Sequence, residues 1–372
     1  MFKNSHPIQI ARDVGKNTVK LTTFAAVTEE EKYMFRCLEL AENGLGKVAP
    51  NPLVGAVLVH GGKITGEGYH QQFGGPHAEV NALQHALENH AESTLSESTL
   101  YVNLEPCSHH GKTPPCSDLI IHHKIKKVVI AMKDPFSLVN GEGIRKLTAA
   151  GIEVATGICE KESAELNRRF LLFHTEHRPY VILKYARSQD GFIAPKNPGQ
   201  DNRWITNAFS KKLVHKWRSE EMAIMVGTKT ALLDNPELTV REWPGKDPVR
   251  IVIDRTLKLP GHLNLLNGKV KTLIINEKKN DVQGFTEWHQ LNFQQPVIPQ
   301  LMHLLFEKSI QSVIIEGGLQ LLQKFIDTGT WDEARIFMGN KWLGSGVRSP
   351  EIEGKIFARS GILDDRLCIL RK

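Results

Sequence analysis

Pro76-His-Ala-Glu-Val80 opens a helical pattern, and Leu104-Glu-Pro-Cys-Ser-His109, running on to Gly111-Lys-Thr-Pro-Pro-Cys116, links a strand to the next helix. Val80, Leu83 and Leu87 share one face of the first helix, Thr99 to Leu104 reads as the strand, and Ser117 to Ile125 as the second helix. Cys107 and Cys116 are separated by eight residues, 108 to 115. Zinc prefers tetrahedral nitrogen and sulfur ligands, and a catalytic site keeps its fourth position for water. His77, Cys107 and Cys116 supply three such ligands. Cys116 opens a helix, and the positive end of that helix dipole favours the thiolate form that binds metal.

Glu79 stands two residues beyond His77 and is free to work on water at the metal. The pattern His-x-Glu, then Pro-Cys, then Cys is the signature of zinc deaminases, in which this Glu takes a proton from water and returns it to the leaving amine. Zinc lowers the pKa of that water toward neutrality. A competing reading is a closed structural site with His109 or His110 as fourth ligand, which leaves Glu79 without a purpose.

Outward from these motifs the chain alternates helix and strand. Thr28 with Glu31 forms a capping-box signature for a helix ending at Gly44. Strands at 55–59 and 63–68 flank the turn Gly61-Gly62, and a strand at 127–132, a helix at 143–150 and a strand at 152–155 complete an α/β unit. A helix at 160–173 leads to the polar, Pro-terminated segment 174–179, the expected boundary. A second alternation follows: strands at 180–186, 222–226, 249–253, 272–275, 312–315 and 335–338, and helices at 208–218, 300–308 and 319–328. The expected organisation is an extension at 1–27, one domain at 28–173 and another at 178–372. Gly141-Glu-Gly143 lacks the third glycine of a dinucleotide fingerprint and is discounted as one.

A chain of 372 residues with 41% hydrophobic and 24% charged residues is an ordinary globular protein, long enough for two cores. The net charge of +6 is mild, and the basic residues are scattered, which argues against a nucleic-acid partner. Five cysteines, an odd and sparse set, argue against a disulfide framework and for a reducing, cytoplasmic setting. No apolar run is long enough to span a bilayer, so no membrane partner is expected. Residues 1–27 are basic and acid-poor, as a transit peptide would be, but short and not Ser-rich. A plain N-terminal extension is the reading adopted.

With Ala49-Pro-Asn-Pro-Leu-Val-Gly55 and Gly68-Tyr-His70 added to the motifs above, the chain resembles the bifunctional riboflavin-biosynthesis deaminase–reductase family from about residue 30 onward. The resemblance implies a cytidine-deaminase-like three-layer domain followed by a dihydrofolate-reductase-like domain. It implies zinc-dependent deamination of 2,5-diamino-6-(5-phosphoribosylamino)pyrimidin-4(3H)-one to 5-amino-6-(5-phosphoribosylamino)uracil. NADPH reduction of the ribosyl group to ribityl phosphate would follow. Asn51 and His70 would line the base pocket, with Lys112 near the substrate's charge. Asp134-Pro-Phe-Ser137 departs from the family's usual Asp-Pro-Asn-Pro, which puts a substrate contact from Phe136-Ser137 in question.

Leu183-Lys-Tyr-Ala-Arg-Ser-Gln-Asp-Gly191, Trp204-Ile-Thr206, Val226-Gly-Thr-Lys-Thr230, Asp234-Asn-Pro-Glu-Leu-Thr-Val-Arg241 and Ile315-Glu-Gly-Gly318 follow in family order. By that resemblance NADPH would contact Ala186, Trp204, Thr230, Asp234, Gly317 and Gly318. The substrate would contact Lys184, Asn202, Arg218, Leu238, Arg241 and Glu316. Asn202 stands for a more usual Ser and Ala186 for a more usual Gly. A Gly-Gly pair opening a helix admits a pyrophosphate, and arginine forks suit a terminal phosphate. Homo-oligomers are usual for such folds. Two other readings compete: a deaminase with a degenerate C-terminal binding module, and an RNA-editing deaminase, which the scattered basic residues disfavour.

Overall fold

The computed structural model describes residues 27–109, 114–135, 140–196 and 204–372. Its first sheet takes the chain from β1 to β5. The elements in order are α1 (Glu29–Glu42), β1 (Gly55–His60), β2 (Lys63–Tyr69), α2 (Ala78–Glu88), β3 (Thr99–Leu104), α3 (Cys116–His122), β4 (Lys127–Met132), α4 (Glu142–Ala149) and β5 (Glu153–Thr156). The strand order is β2-β1-β3-β4-β5, with β1 antiparallel to both neighbours and β3, β4 and β5 parallel. Both faces of the central strands are apolar, as a doubly covered sheet requires. One face packs Leu58, Leu100 and Ile130 against Leu83 of α2, Ile120 of α3 and Leu147 of α4. The other packs Val57, Tyr101 and Val129 against Met34 and Cys37 of α1. The result is a three-layer α/β unit.

Local chemistry explains the helix starts. Thr28 Oγ1 accepts from the Glu31 N–H at 3.2 Å, while Thr28 N–H donates to the Glu31 carboxylate at 2.7 Å, closing the capping box. Gly68 lets β2 approach α2 closely, since a Cβ there would stand 2.5 Å from the Ala82 nitrogen. That contact seats the helix that begins beside His77.

The helix expected at 160–173 is two helices, α5 (Glu160–Leu166) and α6 (Arg168–Glu176). They part at Asn167, whose side chain is committed elsewhere: Oδ1 accepts from Leu53 N–H at 2.8 Å and Nδ2 donates to Leu53 O at 2.9 Å. The segment expected to separate the halves, 174–179, begins inside α6.

The second half runs β6 (Tyr180–Arg187), β7 (Phe192–Pro195), α7 (Ala208–Glu220), β8 (Ala223–Gly227), α8 (Thr228–Asp234), β9 (Val249–Ile253) and β10 (Thr272–Asn276). Then come β11 (Asp281–Gln283), β12 (Thr286–Gln290), α9 (Val297–Glu307), β13 (Ser312–Ile315), α10 (Leu319–Asp327) and β14 (Glu333–Met338). The last strands are β15 (Gly346–Arg348), β16 (Lys355–Ile362) and β17 (Asp365–Arg371). Ten strands form one sheet in the order β11-β12-β10-β9-β8-β13-β6-β14-β17-β16. It is parallel from β12 to β14 and antiparallel at both edges. Its core fills both faces, with Leu301, Leu305 and Phe325 on one side and Trp217, Leu265 and Phe337 on the other. No helix among the described residues is long and apolar enough to cross a membrane.

Candidate active sites

His77 is the N-cap residue of α2, Cys107 follows β3, and Cys116 is the first residue of α3. The three meet because neighbouring strands deliver both helix starts to one end of the first sheet. Cys107 Sγ lies 3.6 Å and Cys116 Sγ 3.3 Å from His77 Nδ1. Zinc bonds of about 2.3 Å to sulfur and about 2.0 Å to nitrogen, at a tetrahedral angle, place such atoms about 3.5 Å apart. The donor set and its spacing therefore fit a zinc ion. Among the described residues, these three are the one His/Cys/Asp/Glu group that could hold a metal. His109 is exposed and outside that group, and His110 lies outside the described residues.

Glu79 is buried in the first turn of α2. Burial foremost, then the charge of Cys107, pushes its carboxyl up to about 7. That places it where a proton can be both taken and returned near neutral pH. The Cys116 backbone N–H donates to Cys107 Sγ at 3.3 Å, the helix-start donor that favours a thiolate.

His70 and Asn51 form the adjacent wall. The His70 and His77 rings meet edge to face with centroids 5.5 Å apart. His70 Nδ1 is 2.8 Å from the Pro76 carbonyl, which can only accept, so that nitrogen carries the proton. Nε2 is then left to accept from Asn51 Nδ2 at 3.0 Å. Burial lowers the His70 pKa, consistent with this neutral tautomer. The loop bearing Asn51 is clamped at Leu53, whose carbonyl accepts from both Asn103 and Asn167.

Glu105 is a residue whose part in the site motif reading did not reveal. Its buried carboxylate accepts backbone N–H bonds from Asp134, Gly141 and Ile144 at 3.3, 2.9 and 3.2 Å. It thus ties both flanks of the 134–144 loop to the Cys107 segment. Gly143, discounted as part of a nucleotide motif, has a packing reason: a Cβ there would stand 2.1 Å from the Pro106 carbonyl oxygen. Lys112, Phe136 and Ser137 lie outside the described residues, as do Asn202 and residues 1–26.

In the second half, the carboxyl ends of adjacent parallel strands converge, the usual place for a ligand crevice in such sheets. Ile315 of β13 pairs with Leu183 of β6, which sets Glu316 beside Lys184. Glu316 accepts from Arg218 Nε at 3.1 Å and Nη2 at 2.7 Å, with Lys184 Nζ at 3.9 Å. Burial would raise the Glu316 carboxyl, but Arg218 and Lys184 outweigh it and hold it near 2. The Arg218 fork is thus engaged within the protein, its Nη1 donating to Thr239 O at 3.2 Å. Arg241 is less confined: its guanidinium donates to Glu237 and Thr239, both at 2.8 Å, from a largely exposed position. Leu238 is buried with φ of +55°, the left-handed region that branched side chains rarely take.

Gly318 (φ +78°) caps α10, and Thr230 of α8 faces it: Cβ atoms at Gly317 and Gly318 would meet Thr230 at 3.0 and 3.1 Å. The glycine pair and Thr230 therefore share one crevice. Ala186 lies on β6 opposite Phe337 of β14, and Asp234 ends α8 at the surface. Trp204 is 56% exposed, with Lys211 Nζ 5.0 Å from its ring centroid.

Comparison with known proteins agrees with both halves. Residues 27–132 match the cytidine and deoxycytidylate deaminase zinc-binding region, and residues 179–358 match the RibD C-terminal domain. The riboflavin biosynthesis protein RibD of Aquifex aeolicus is 40% identical over 326 residues, covering 86% of this chain and 89% of that protein. That of Escherichia coli is 36% identical over 352 residues, covering 86% and 90%. A solved Thermotoga maritima structure, a diaminohydroxyphosphoribosylaminopyrimidine deaminase/5-amino-6-(5-phosphoribosylamino)uracil reductase, superposes with a TM-score of 0.83 at 36% identity, covering 92% of this chain and 98% of that one. Acinetobacter baumannii RibD also gives 0.83, at 32% identity with 93% and 99% covered. With both halves matched in order and nearly end to end, this chain belongs to the RibD family, bifunctional riboflavin biosynthesis proteins that join a zinc-binding deaminase domain to a reductase domain.

Proposed function

We propose that this chain deaminates 2,5-diamino-6-(5-phosphoribosylamino)pyrimidin-4(3H)-one at the His77 site and then reduces the product's ribosyl group with NADPH at the Lys184 site. The observation that carries the reading is the pairing of a three-donor metal cluster with a buried carboxylate two residues from its histidine. His77 Nδ1, Cys107 Sγ and Cys116 Sγ would hold zinc, which when bound polarises water in its open position. Glu79 would take a proton from the attacking water on its carboxylate as the water oxygen bonds to the amine-bearing ring carbon, and would return it to the amine as the C–N bond breaks and ammonia leaves. Asn51 and His70 hold the pyrimidine against this wall, His70 as the neutral tautomer. Lys112 meets the substrate's charged part.

In the second half, Ala186, Trp204, Thr230, Asp234, Gly317 and Gly318 would hold NADPH, whose nicotinamide would supply the hydride. Gly317 and Gly318, at the start of α10, would offer backbone amides to its pyrophosphate. Lys184, Asn202, Arg218, Leu238, Arg241 and Glu316 position the opened sugar. Within this set Arg241, the less confined arginine, takes the terminal phosphate, while Glu316 orients Lys184 and Arg218. The domains are assigned as 28–173 and 178–372. A coupled assay with the diamino-pyrimidinone phosphate tests the proposal by following ammonia and NADPH together. Equal amounts of each are expected, and ammonia release without NADPH loss would leave the second half a binding module only.

A further inference from the structure

At the amino end of the second sheet, where β6, β13 and β8 lie side by side, the protein meets the loop that carries Asn51. Gln311, the residue before β13, sits there and is only 4% exposed. Its backbone is fixed on both sides, the carbonyl accepting from Tyr180 N–H at 2.8 Å and the N–H donating to Met222 Sδ at 3.2 Å. Its side chain crosses the seam between the halves, where Nε2 donates to the Pro50 carbonyl at 2.7 Å. That carbonyl belongs to the peptide leading into Asn51. Because a peptide unit is planar, fixing its oxygen sets the plane from which Asn51 projects.

Asn51 is thereby held from two directions. Downstream, Leu53 is tied within the first half to Asn103 and Asn167. Upstream, the tie comes from the second half. Packing closes the same seam. A Cβ on Gly46 would stand 2.2 Å from the Ser219 carbonyl oxygen of α7, so the turn ahead of Asn51 is pressed onto that helix end. Val48, Ala49 and Leu53 meet Phe170, Met222 and Ser312 around a gap of about 40 Å³, far too small for a ligand. The seam is a mechanical contact, and close packing passes small displacements across it.

We infer that Gln311 is a positioning residue for deamination: a residue of the reductase half that holds Asn51, and through it His70, in the base-binding wall of the His77 site. The inference rests on the deaminase reading above. Asn51 Nδ2 meets His70 Nε2 at 3.0 Å, so a turn of the Pro50–Asn51 peptide shifts that contact directly. Glu79 and the three metal donors are carried by the starts of α2 and α3 and the segment after β3. Losing the anchor therefore weakens substrate binding and spares the chemical step. Glu316 stands five residues further along β13, roughly 17 Å away at about 3.3 Å per residue, so the reductase site keeps its geometry.

The test compares the full chain with Gln311→Met, which keeps the side chain's length and loses its donor. Gln311→Asn, which draws the donor back from Pro50, decides the matter should the first variant fail to fold. Arg371→Met is the control, since it breaks a pair with Glu165 (2.7 and 2.6 Å) across the same seam, between β17 and α5. Two readouts are taken: KM and kcat for ammonia release from the diamino-pyrimidinone phosphate, and backbone amide exchange over residues 51–55 without substrate. The Gln311 variants are expected to raise KM by about tenfold, the worth of one buried hydrogen bond, with kcat and the reductase KM held. Exchange should quicken by about the same factor. Arg371→Met is expected to lower the unfolding temperature and leave both readouts at wild type. A wild-type KM in the Gln311 variants would overturn the inference, as would an equal rise in the Arg371 control. If the unaltered chain releases no ammonia, the deaminase reading itself fails, and unchanged exchange in the variants separately overturns the anchor.

Discussion

Replacing Glu316 with Gln removes one negative charge from between Lys184 and Arg218 while keeping the side chain's shape. The folded carboxyl falls from an ordinary 4.5 to about 2. At about 1.4 kcal/mol for each pH unit, that depression is worth about 3 kcal/mol of stability. A carboxylate whose folded pKa is depressed stabilises the fold above its unfolded pKa and loses that contribution as pH falls through the folded one. Glu316→Gln is therefore expected to cost about 3 kcal/mol at pH 7. The gap to wild type narrows below about pH 4.5 and closes near pH 2. The assay is built into the chain, because all six tryptophans lie between Trp204 and Trp342. Urea unfolding followed by their emission reports the second half alone. A gap of equal size at pH 7 and pH 3 would refute the electrostatic account and leave a packing effect in its place.

Three further outcomes follow from the first half. Gly143→Ala forces a Cβ against the Pro106 carbonyl, so ammonia release should fall sharply while NADPH oxidation with deaminated substrate persists; normal deamination would contradict the contact. Glu105→Gln replaces an acceptor of three backbone N–H bonds with a group that also donates. It should destabilise the first half by about 2–4 kcal/mol, as hydrogen bonds to a charged group require, detected by calorimetry with the tryptophan transition unmoved. Cys107→Ala should lower bound zinc, measured by elemental analysis, in step with ammonia release.

The sequence exposed most of what lies near the sites, because local rules govern it. Capping at Thr28, the glycines of β2 and the helix starts at His77 and Cys116 are all short-range chemistry. The missed features depend on contacts distant in sequence. Asn167 breaks a helix that reads as continuous because its amide is spent on Leu53. Helix α9 begins at Val297 rather than at the expected Gln300, since Pro299 sits in the first turn where its missing N–H costs nothing. The strands β16 and β17 form an antiparallel ribbon whose outer member is largely exposed, so it carries no alternation to read. Short α8, the edge strand β11 with its neighbour β12, and the two-stranded pair of β7 and β15 span only three to seven residues each, too few to show a period. Glu105 sits in plain view beside Cys107, yet its three backbone partners lie beyond residue 133.

The central claim is that one chain holds two chemically independent sites, one of which turns on Glu79. The direct measurement is Glu79→Gln in the full chain, supplied in parallel with the diamino-pyrimidinone phosphate and with its deaminated product. Ammonia release should fall by at least about a hundredfold, the loss of a general acid–base group, with zinc retained and NADPH oxidation of the deaminated product at the wild-type rate. Normal ammonia release by this variant would contradict the account.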